Sequence, residues 1–170
     1  MTEQSPSFHY TPCEVAKDLI KDITFNDNDL VLEPCRGGGG FYDIIPHHIS
    51  KDWCEIAHGR DFFTYFSESI YNNYFSKIIT NPPYKTNHTD AKLRKNIFMP
   101  FVMRCLELCS DECWLLLNNQ MLNGFTPLRL KKIKDMGFSL CFLRILNIKQ
   151  WYGRYYWLCF KKNSTSIINF

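Results

Sequence analysis

Hydrophobic positions along the chain alternate between helical stripes and short continuous runs. Val15, Ala16, Leu19 and Ile20 recur at helical spacing and predict a helix from about Pro12 to Asp22. Thr11 is its expected N-cap, with Pro12 at the first helical position and Glu14 in the first turn. Leu30-Val31-Leu32 reads as a short buried strand, leading through a glycine-rich loop into a further helical stretch near Ile44 and Ile45. A second strand is expected at Trp53–Ile56 and a very short third one near Gly59–Phe63. Phe75 to Ile79 is an apolar run halted by Thr80-Asn81-Pro82-Pro83-Tyr84. Phe98, Phe101, Val102, Cys105, Leu106, Leu108 and Cys109 form a helical pattern with Pro100 early in it. Cys113 to Leu117 predicts a strand with Asn118-Asn119-Gln120 at its end, and a helix from about Thr126 to Met136 stops at Gly137. Phe138–Ile148 and Tyr155–Phe160 flank Gln150-Trp151-Tyr152-Gly153-Arg154 and read as an antiparallel hairpin. Residues 1–9 are expected to be a loose leader, and Lys85 to Asn96 a polar loop long enough to move over a site. Helix and strand alternating up to a closing hairpin predict an α/β fold: one doubly wound, three-layer domain over residues 1–170, with a mostly parallel sheet.

Composition supports a folded protein. The chain has 170 residues, of which 45% are hydrophobic and 16% aromatic, enough for one core without disulfide staples. No apolar stretch is long enough to span a bilayer and no signal segment opens the chain, so the expectation is a cytoplasmic protein without a membrane partner. The 8 cysteines form no C-x-x-C pair and are expected to be reduced core thiols, with no metal site. The net charge of +3 hides an asymmetry. Residues 1–85 carry 7 Lys and Arg against 12 Asp and Glu, whereas residues 86–170 carry 13 against 5. A basic second half suits a polyanion such as nucleic acid. For the run Arg129, Lys131, Lys132, Lys134 alone, a solvated helix face explains the charge equally simply.

Two stretches carry candidate chemistry. In Asn81-Pro82-Pro83-Tyr84 each proline fixes its own backbone and restrains the residue before it, so Asn81 and Pro82 are held stiffly at a strand tip. The Asn81 side-chain oxygen and the Pro82 carbonyl can then converge as acceptors beside the flat Tyr84 ring. That arrangement suits a planar ligand with an NH2 group; the plain alternative is a proline-rich turn. The second stretch, Glu33-Pro34-Cys35-Arg36-Gly37-Gly38-Gly39-Gly40-Phe41, is a strand–glycine loop of the kind that meets a ligand with backbone N–H groups. A dinucleotide fingerprint is broken by Tyr42 and Asp43, and the P-loop Gly-Lys-Ser/Thr is missing. Glu33 at the strand tip disfavours phosphate and would attract an ammonium or sulfonium, such as that of S-adenosylmethionine; a merely flexible loop remains the alternative. Glu55 falls where doubly wound folds place the acid that binds ribose hydroxyls, with Ile56 against an adenine face. Asp61 could take an adenine amino group and Phe62 pack on the ring, or Asp61 is an exposed loop acid.

With these motifs in place the chain resembles the class I S-adenosylmethionine-dependent methyltransferases, and among them the N6-adenine group marked by Asn/Asp-Pro-Pro-Tyr/Phe. The likeness runs in the family's order over nearly the whole chain. Tyr10-Thr11-Pro12 is similar to the segment at the cofactor carboxylate, Glu33, Pro34, Cys35, Gly37, Gly39 and Phe41 to the glycine motif, and Glu55 to the ribose acid. Asp61-Phe62-Phe63 is similar to the adenine-contacting segment and Asn81-Pro82-Pro83-Tyr84 to the catalytic motif. The resemblance implies a Rossmann-like methyltransferase fold, S-adenosylmethionine as cofactor with S-adenosylhomocysteine as product, and transfer to N6 of adenine in DNA. Asn81 and Pro82 would hold the amino group, and Tyr84 would stack on a flipped base. Many DNA enzymes of the group carry a separate target-recognition region, and none is expected within residues 1–170. Substrate contacts are therefore expected from Pro83, Tyr84, Lys85, Trp151 and Arg154, from a second copy, or from a specificity subunit. Adenine in ribosomal or transfer RNA, a protein glutamine, or a catalytically silent nucleic-acid-binding role are the competing readings.

Overall fold

The computed structural model describes residues 10–84 and 96–167. It contains one six-stranded sheet with strands β1 (Leu30–Glu33), β2 (Ser50–Trp53), β3 (Phe75–Thr80), β4 (Cys109–Asn118), β5 (Phe138–Leu146) and β6 (Tyr155–Lys162), in the order β2-β1-β3-β4-β6-β5. The first four are mutually parallel, and β6 enters antiparallel between β4 and β5. The helices are α1 (Cys13–Leu19), α2 (Phe62–Tyr65), α3 (Phe98–Leu108), α4 (Asn119–Leu122) and α5 (Pro127–Asp135). The doubly wound α/β architecture expected from the pattern is present, including the closing hairpin.

Alternation within the strands builds two cores. Leu32, Ile78, Cys113, Leu115, Leu117, Leu158 and Phe160 point to the side covered by α2, α3 and α5. Val31, Ile79, Trp114, Leu116, Trp157 and Cys159 point to the other, where Ala16 and Leu19 of α1 pack. Successive strand residues face opposite sides, so a run apolar on both faces demands a covering layer on each. Pro100 sits in the first turn of α3, where its missing N–H has no intrahelical acceptor to lose.

The structure departs from the pattern at several places. β2 ends at Trp53, so Glu55 and Ile56 lie beyond the strand in a 3-10 turn, Ile56–His58. Among the described residues the expected third strand reduces to a single bridge between Glu55 and Arg60. In its place a ladder of cations and rings covers the free edge of β2. Lys51 lies over Tyr42, Arg36 between Tyr42 and Trp53, and Arg60 between Trp53 and Tyr65, at 4.2 to 5.1 Å. The helical stretch expected near Ile44 and Ile45 is a pair of turns, with Asp43 N–H donating to Gly39 and Ile45 N–H to Phe41; Pro46 forbids their continuation. Cys109 opens β4 rather than closing the preceding helix. All eight cysteines are unbridged, and they are not uniformly core residues: Cys13 is exposed and Cys35 and Cys141 are half-buried. No helix among the described residues is long and apolar enough to cross a membrane.

Candidate active site

Strand order reverses between β1 and β3. From β1 the chain steps outward to β2 and then returns to the far side of β1, leaving a crevice at the carboxyl ends of β1 and β3. Ligands of open α/β sheets bind at such a switch point. Glu33 ends β1, Thr80 ends β3 with Asn81 next in chain, and Asn118 ends β4, so both sequence motifs reach this one edge.

The glycine loop is shaped by acids rather than by a helix. Glu55 accepts from the Gly37 N–H at 2.7 Å through one carboxylate oxygen and from the Ala57 N–H at 3.1 Å through the other. Glu33 accepts from the Tyr42 N–H at 2.6 Å. Its carboxyl is buried, and burial pushes its pKa up to about 8 despite the Tyr42 and Phe41 N–H groups and Arg36. Gly37 and Gly39 have φ of +52° and +84°. A Cβ at Gly37 would stand 2.7 Å from the Tyr10 ring, and one at Gly39 would stand 2.5 Å from Asp43 Oδ2. Only glycine meets both the backbone and the space requirement at these positions. Arg36 pairs with Asp43 at 3.1 Å across the loop.

Around this loop the sequence-derived residues divide into those at the crevice and those behind it. Tyr10 lies on Gly37, and Thr11 is packed on Gly40. Thr11 does not cap α1: the N-cap is Pro12, with no side-chain bond, because the Thr11 hydroxyl is turned to Asn81. Asp61 is spent on a local task, accepting from the Phe63 N–H at 3.0 Å as the N-cap of α2. Ile56 is 54% exposed and free to lie on a ligand face. Phe62 is buried against Phe101, ring centroids 4.7 Å apart, and Phe41 is buried in a stack on Trp157 at 5.5 Å. These two rings belong to the cores rather than to the crevice. Burial and the neighbouring Glu55 and Glu33 push the Cys35 thiol up to about 12, so no thiolate nucleophile stands in the loop at neutral pH.

On the β3 side, Pro82 is buried and Pro83 half-buried. Asn81 Nδ2 donates to Thr11 Oγ1 at 3.4 Å, and the Tyr84 hydroxyl donates to Asn81 Oδ1 at 3.2 Å. Burial raises the Tyr84 hydroxyl pKa, nearby Tyr155 adds to this, and the Asn118 backbone N–H partly offsets it. Trp151 packs on Tyr155 at 4.7 Å, which ties the hairpin turn to the same wall, while Arg154 is exposed. Lys85 lies outside the described residues, as do residues 86–95 of the expected loop and 1–9 of the leader. Two residues at this wall escape a motif search, Asn118 and Tyr155. Asn118 carries a signal of its own: it is the first polar residue after the apolar run Cys113–Leu117 of β4. Its side chain caps α4 by accepting from the Met121 N–H at 2.9 Å.

The fold has counterparts among solved structures. A Pyrococcus horikoshii protein assigned as an RNA methyltransferase superposes with a TM-score of 0.60 at 17% identity, over 94% of this chain and 91% of that one. A class I S-adenosylmethionine-dependent methyltransferase of Listeria monocytogenes gives 0.61 at 14%, over 91% and 60%. The chain has the methyltransferase fold. The M protein of the type I restriction enzyme EcoKI gives 0.62 at 13% identity; 91% of this chain is matched, spanning 44% of that protein. No family model and no curated protein sequence matches. At these identities the likeness concerns fold, and the chemistry rests on this chain's own residues.

Those residues fit S-adenosylmethionine. The glycine loop turns tightly at the carboxyl end of β1, and Glu55 beyond it carries the carboxylate that would meet ribose hydroxyls; Glu33, expected to attract a cation by its charge, is instead buried and holds its proton at neutral pH, so it shapes the loop through the Tyr42 N–H.

Proposed function

We propose that this protein transfers a methyl group from S-adenosylmethionine to the N6 amino group of adenine in DNA. The observation that carries the reading is the Asn81 carboxamide, fixed at the switch point beside the glycine loop, with its oxygen towards Tyr84. When bound, S-adenosylmethionine supplies a sulfonium methyl for transfer to nitrogen, the amino group losing one proton and S-adenosylhomocysteine remaining. The hold on it is assigned to Tyr10, Pro12, Glu33, Pro34, Cys35, Gly37, Gly39, Phe41, Glu55, Ile56, Asp61 and Phe62, a reading supported by the bond between Gly37 and Glu55 and by the packing of Tyr10 on Gly37.

The chain's own contribution is positioning and polarity. The lone pair of an adenine amino group is delocalised into the ring, which makes it a poor nucleophile. Hydrogen bonds from that NH2 to Asn81 Oδ1 and the Pro82 carbonyl favour a more tetrahedral nitrogen and return the lone pair to it. In a duplex the amino group is paired, so the base has to leave the stack, and Tyr84 offers the extruded ring a flat face. Pro83, Trp151 and Arg154 frame the entrance, with the basic second half of the chain drawing the phosphate backbone. Recognition of a particular sequence is assigned to a second copy or a separate subunit.

Adenine in RNA is the second reading. It is supported by the fold likeness to the Pyrococcus horikoshii protein assigned as an RNA methyltransferase, on which 94% of this chain superposes. The deciding experiment is transfer of a labelled methyl group to unmethylated genomic DNA and total RNA in parallel, followed by nucleoside analysis. Label in N6-methyldeoxyadenosine is the expected result. Label only in N6-methyladenosine keeps the chemistry and changes the substrate, and label in neither overturns the adenine reading.

A further inference from the structure

The Asn81 carboxamide is held from both sides by hydroxyl groups: its nitrogen by Thr11 at 3.4 Å and its oxygen by Tyr84 at 3.2 Å. Thr11 comes from a distant part of the chain, ahead of α1, and its hydroxyl is not used by that helix. It is also firmly seated. A Cβ at Gly40 would lie 2.8 Å from the Thr11 carbonyl oxygen and 3.2 Å from its Cβ, so the glycine loop is packed directly on this residue.

A primary carboxamide has two ends of nearly equal shape and opposite hydrogen-bonding sense. Half a turn of the Asn81 side chain would present an NH2 where Oδ1 now stands. An incoming amino group would then meet a donor, and the acceptor that withdraws its proton density would be lost. Among the described contacts, Tyr84 and Thr11 bear on the orientation. Burial keeps the Tyr84 hydroxyl protonated, and the Asn118 backbone N–H, which can only donate, faces its oxygen. The phenol proton is thereby directed to Asn81 Oδ1, and Thr11 Oγ1 accepts from the remaining end. The Asn81 carbonyl has a second lone pair, so a substrate amino group can join or replace Tyr84 there without turning the amide.

We propose that Thr11 is a positioning residue for methyl transfer: its hydroxyl captures the Asn81 NH2 and so commits the Asn81 oxygen to the substrate amino group. This rests on the adenine reading of Asn81 and adds a residue whose place in the chain suggests a contact to the cofactor instead. The two roles separate in kinetics. A cofactor ligand governs affinity for S-adenosylmethionine, whereas a residue that orients the acceptor governs turnover once both ligands are bound.

The test compares wild type with Thr11→Val, which exchanges the hydroxyl for a methyl of similar size, and Thr11→Ser, which restores it. For each, kcat and KM are measured on an adenine-containing DNA duplex and the Kd of S-adenosylmethionine by calorimetry. The Asn81 side-chain NH2 resonances are followed by 15N NMR, assigned by their loss in Asn81→Ala. Thr11→Val is expected to lower kcat roughly tenfold, the worth of one such hydrogen bond, with the Kd for S-adenosylmethionine held within about twofold. Its Asn81 NH2 pair shifts, and Thr11→Ser recovers both rate and resonance. Weakened cofactor binding with full kcat at saturation would overturn the proposal in favour of a cofactor contact. An active wild type with kcat and NH2 resonances unmoved in Thr11→Val would sink it alone. A wild type that methylates no adenine would remove the adenine reading itself, and the role of Thr11 in transfer with it.

Discussion

Asn81, Tyr84 and Glu33 act at the scale of single atoms. Asn81→Ala removes the acceptor while leaving the glycine loop and its acids in place. It is expected to abolish transfer and leave S-adenosylmethionine affinity within about twofold by calorimetry. Turnover near the wild-type value in that variant would refute the catalytic assignment. Tyr84 has two separable parts, a ring and a hydroxyl. Tyr84→Ala loses both, including stacking worth about 1–3 kcal/mol per base, and is expected to lower kcat/KM more than Tyr84→Phe. The phenylalanine variant keeps the ring and gives up only the bond to Asn81, measurable as a smaller loss on the same substrate. Glu33 makes a prediction about pH. Burial raises its folded pKa from 4.5 to about 8, so the folded state holds a proton that the unfolded chain has already released. Its contribution to stability is full below 4.5 and is lost as pH rises through about 8. Within that window the slope reaches about 1.4 kcal/mol per pH unit. Glu33→Gln stays neutral and can still accept from Tyr42, so its melting temperature is expected to fall less than that of the wild type between those limits. Parallel melting curves for the two proteins would show that Glu33 does not titrate there.

Among the elements, β3 joins the site to the base of the sheet. Its upper end delivers Asn81, and its lower half carries Lys77, which is 2% exposed between the flanking strands. The Lys77 ammonium lies 3.3 Å from Asp29 and 3.7 Å from both Asp111 and Glu112, and Glu112 is bonded in turn by Lys161 at 2.8 Å and Trp114 at 3.0 Å. Burial pushes the Asp29 and Glu112 carboxyls up, yet both are held below their usual range, Asp29 by the Asn26 N–H, the Ser76 hydroxyl and Lys77, and Glu112 by Lys161, Trp114 and Lys77. A buried charge left without its partner costs about 3–5 kcal/mol. Lys77→Met keeps the volume and removes the cation, leaving Asp29 with the Asn26 N–H and the Ser76 hydroxyl, so a loss towards the lower end of that range is expected in urea denaturation; a loss under about 1 kcal/mol would mean the pair is not desolvated. At this scale the pattern was legible wherever a strand is covered on both faces. Apolar pairs or runs at Ile78-Ile79 of β3, Cys113–Leu117 of β4 and Trp157–Phe160 of β6 place successive residues alternately in the two cores. It failed at the open edge. β2 reads Ser50-Lys51-Asp52-Trp53, with no apolar run, since one side of it meets solvent and its surface is covered by stacked arginines and rings drawn from four separate places in the chain.

For the whole molecule, the parallel strands bring the glycine loop and Asn81 to one edge, while Trp151 of the hairpin turn packs on Tyr155. If this edge takes a nucleic acid, the excess of basic residues in the second half makes affinity depend on counterion release. Binding to duplex DNA is therefore expected to fall linearly in log K against log salt. A flat dependence between about 50 and 200 mM salt would speak against a polyanion and for a small or protein substrate. The sequence alone determined the alternating architecture, the two motifs and their chemical character. Those properties are local: a proline restrains its neighbours, a glycine run admits unusual backbone, and an apolar run must be covered. It also marked Glu33, Glu55 and Asn81 as the polar groups at strand ends. Only the tertiary structure decided which of these groups meet. Strand order placed β3 beside β1, and burial turned Glu33 inward and raised its pKa. Phe41 and Phe62 were drawn into the cores because a ring gains more from close packing than from a crevice wall. The pairing of Thr11 with Asn81 belongs to the same class, since a hydroxyl and an amide far apart in sequence have no local pattern that announces their contact.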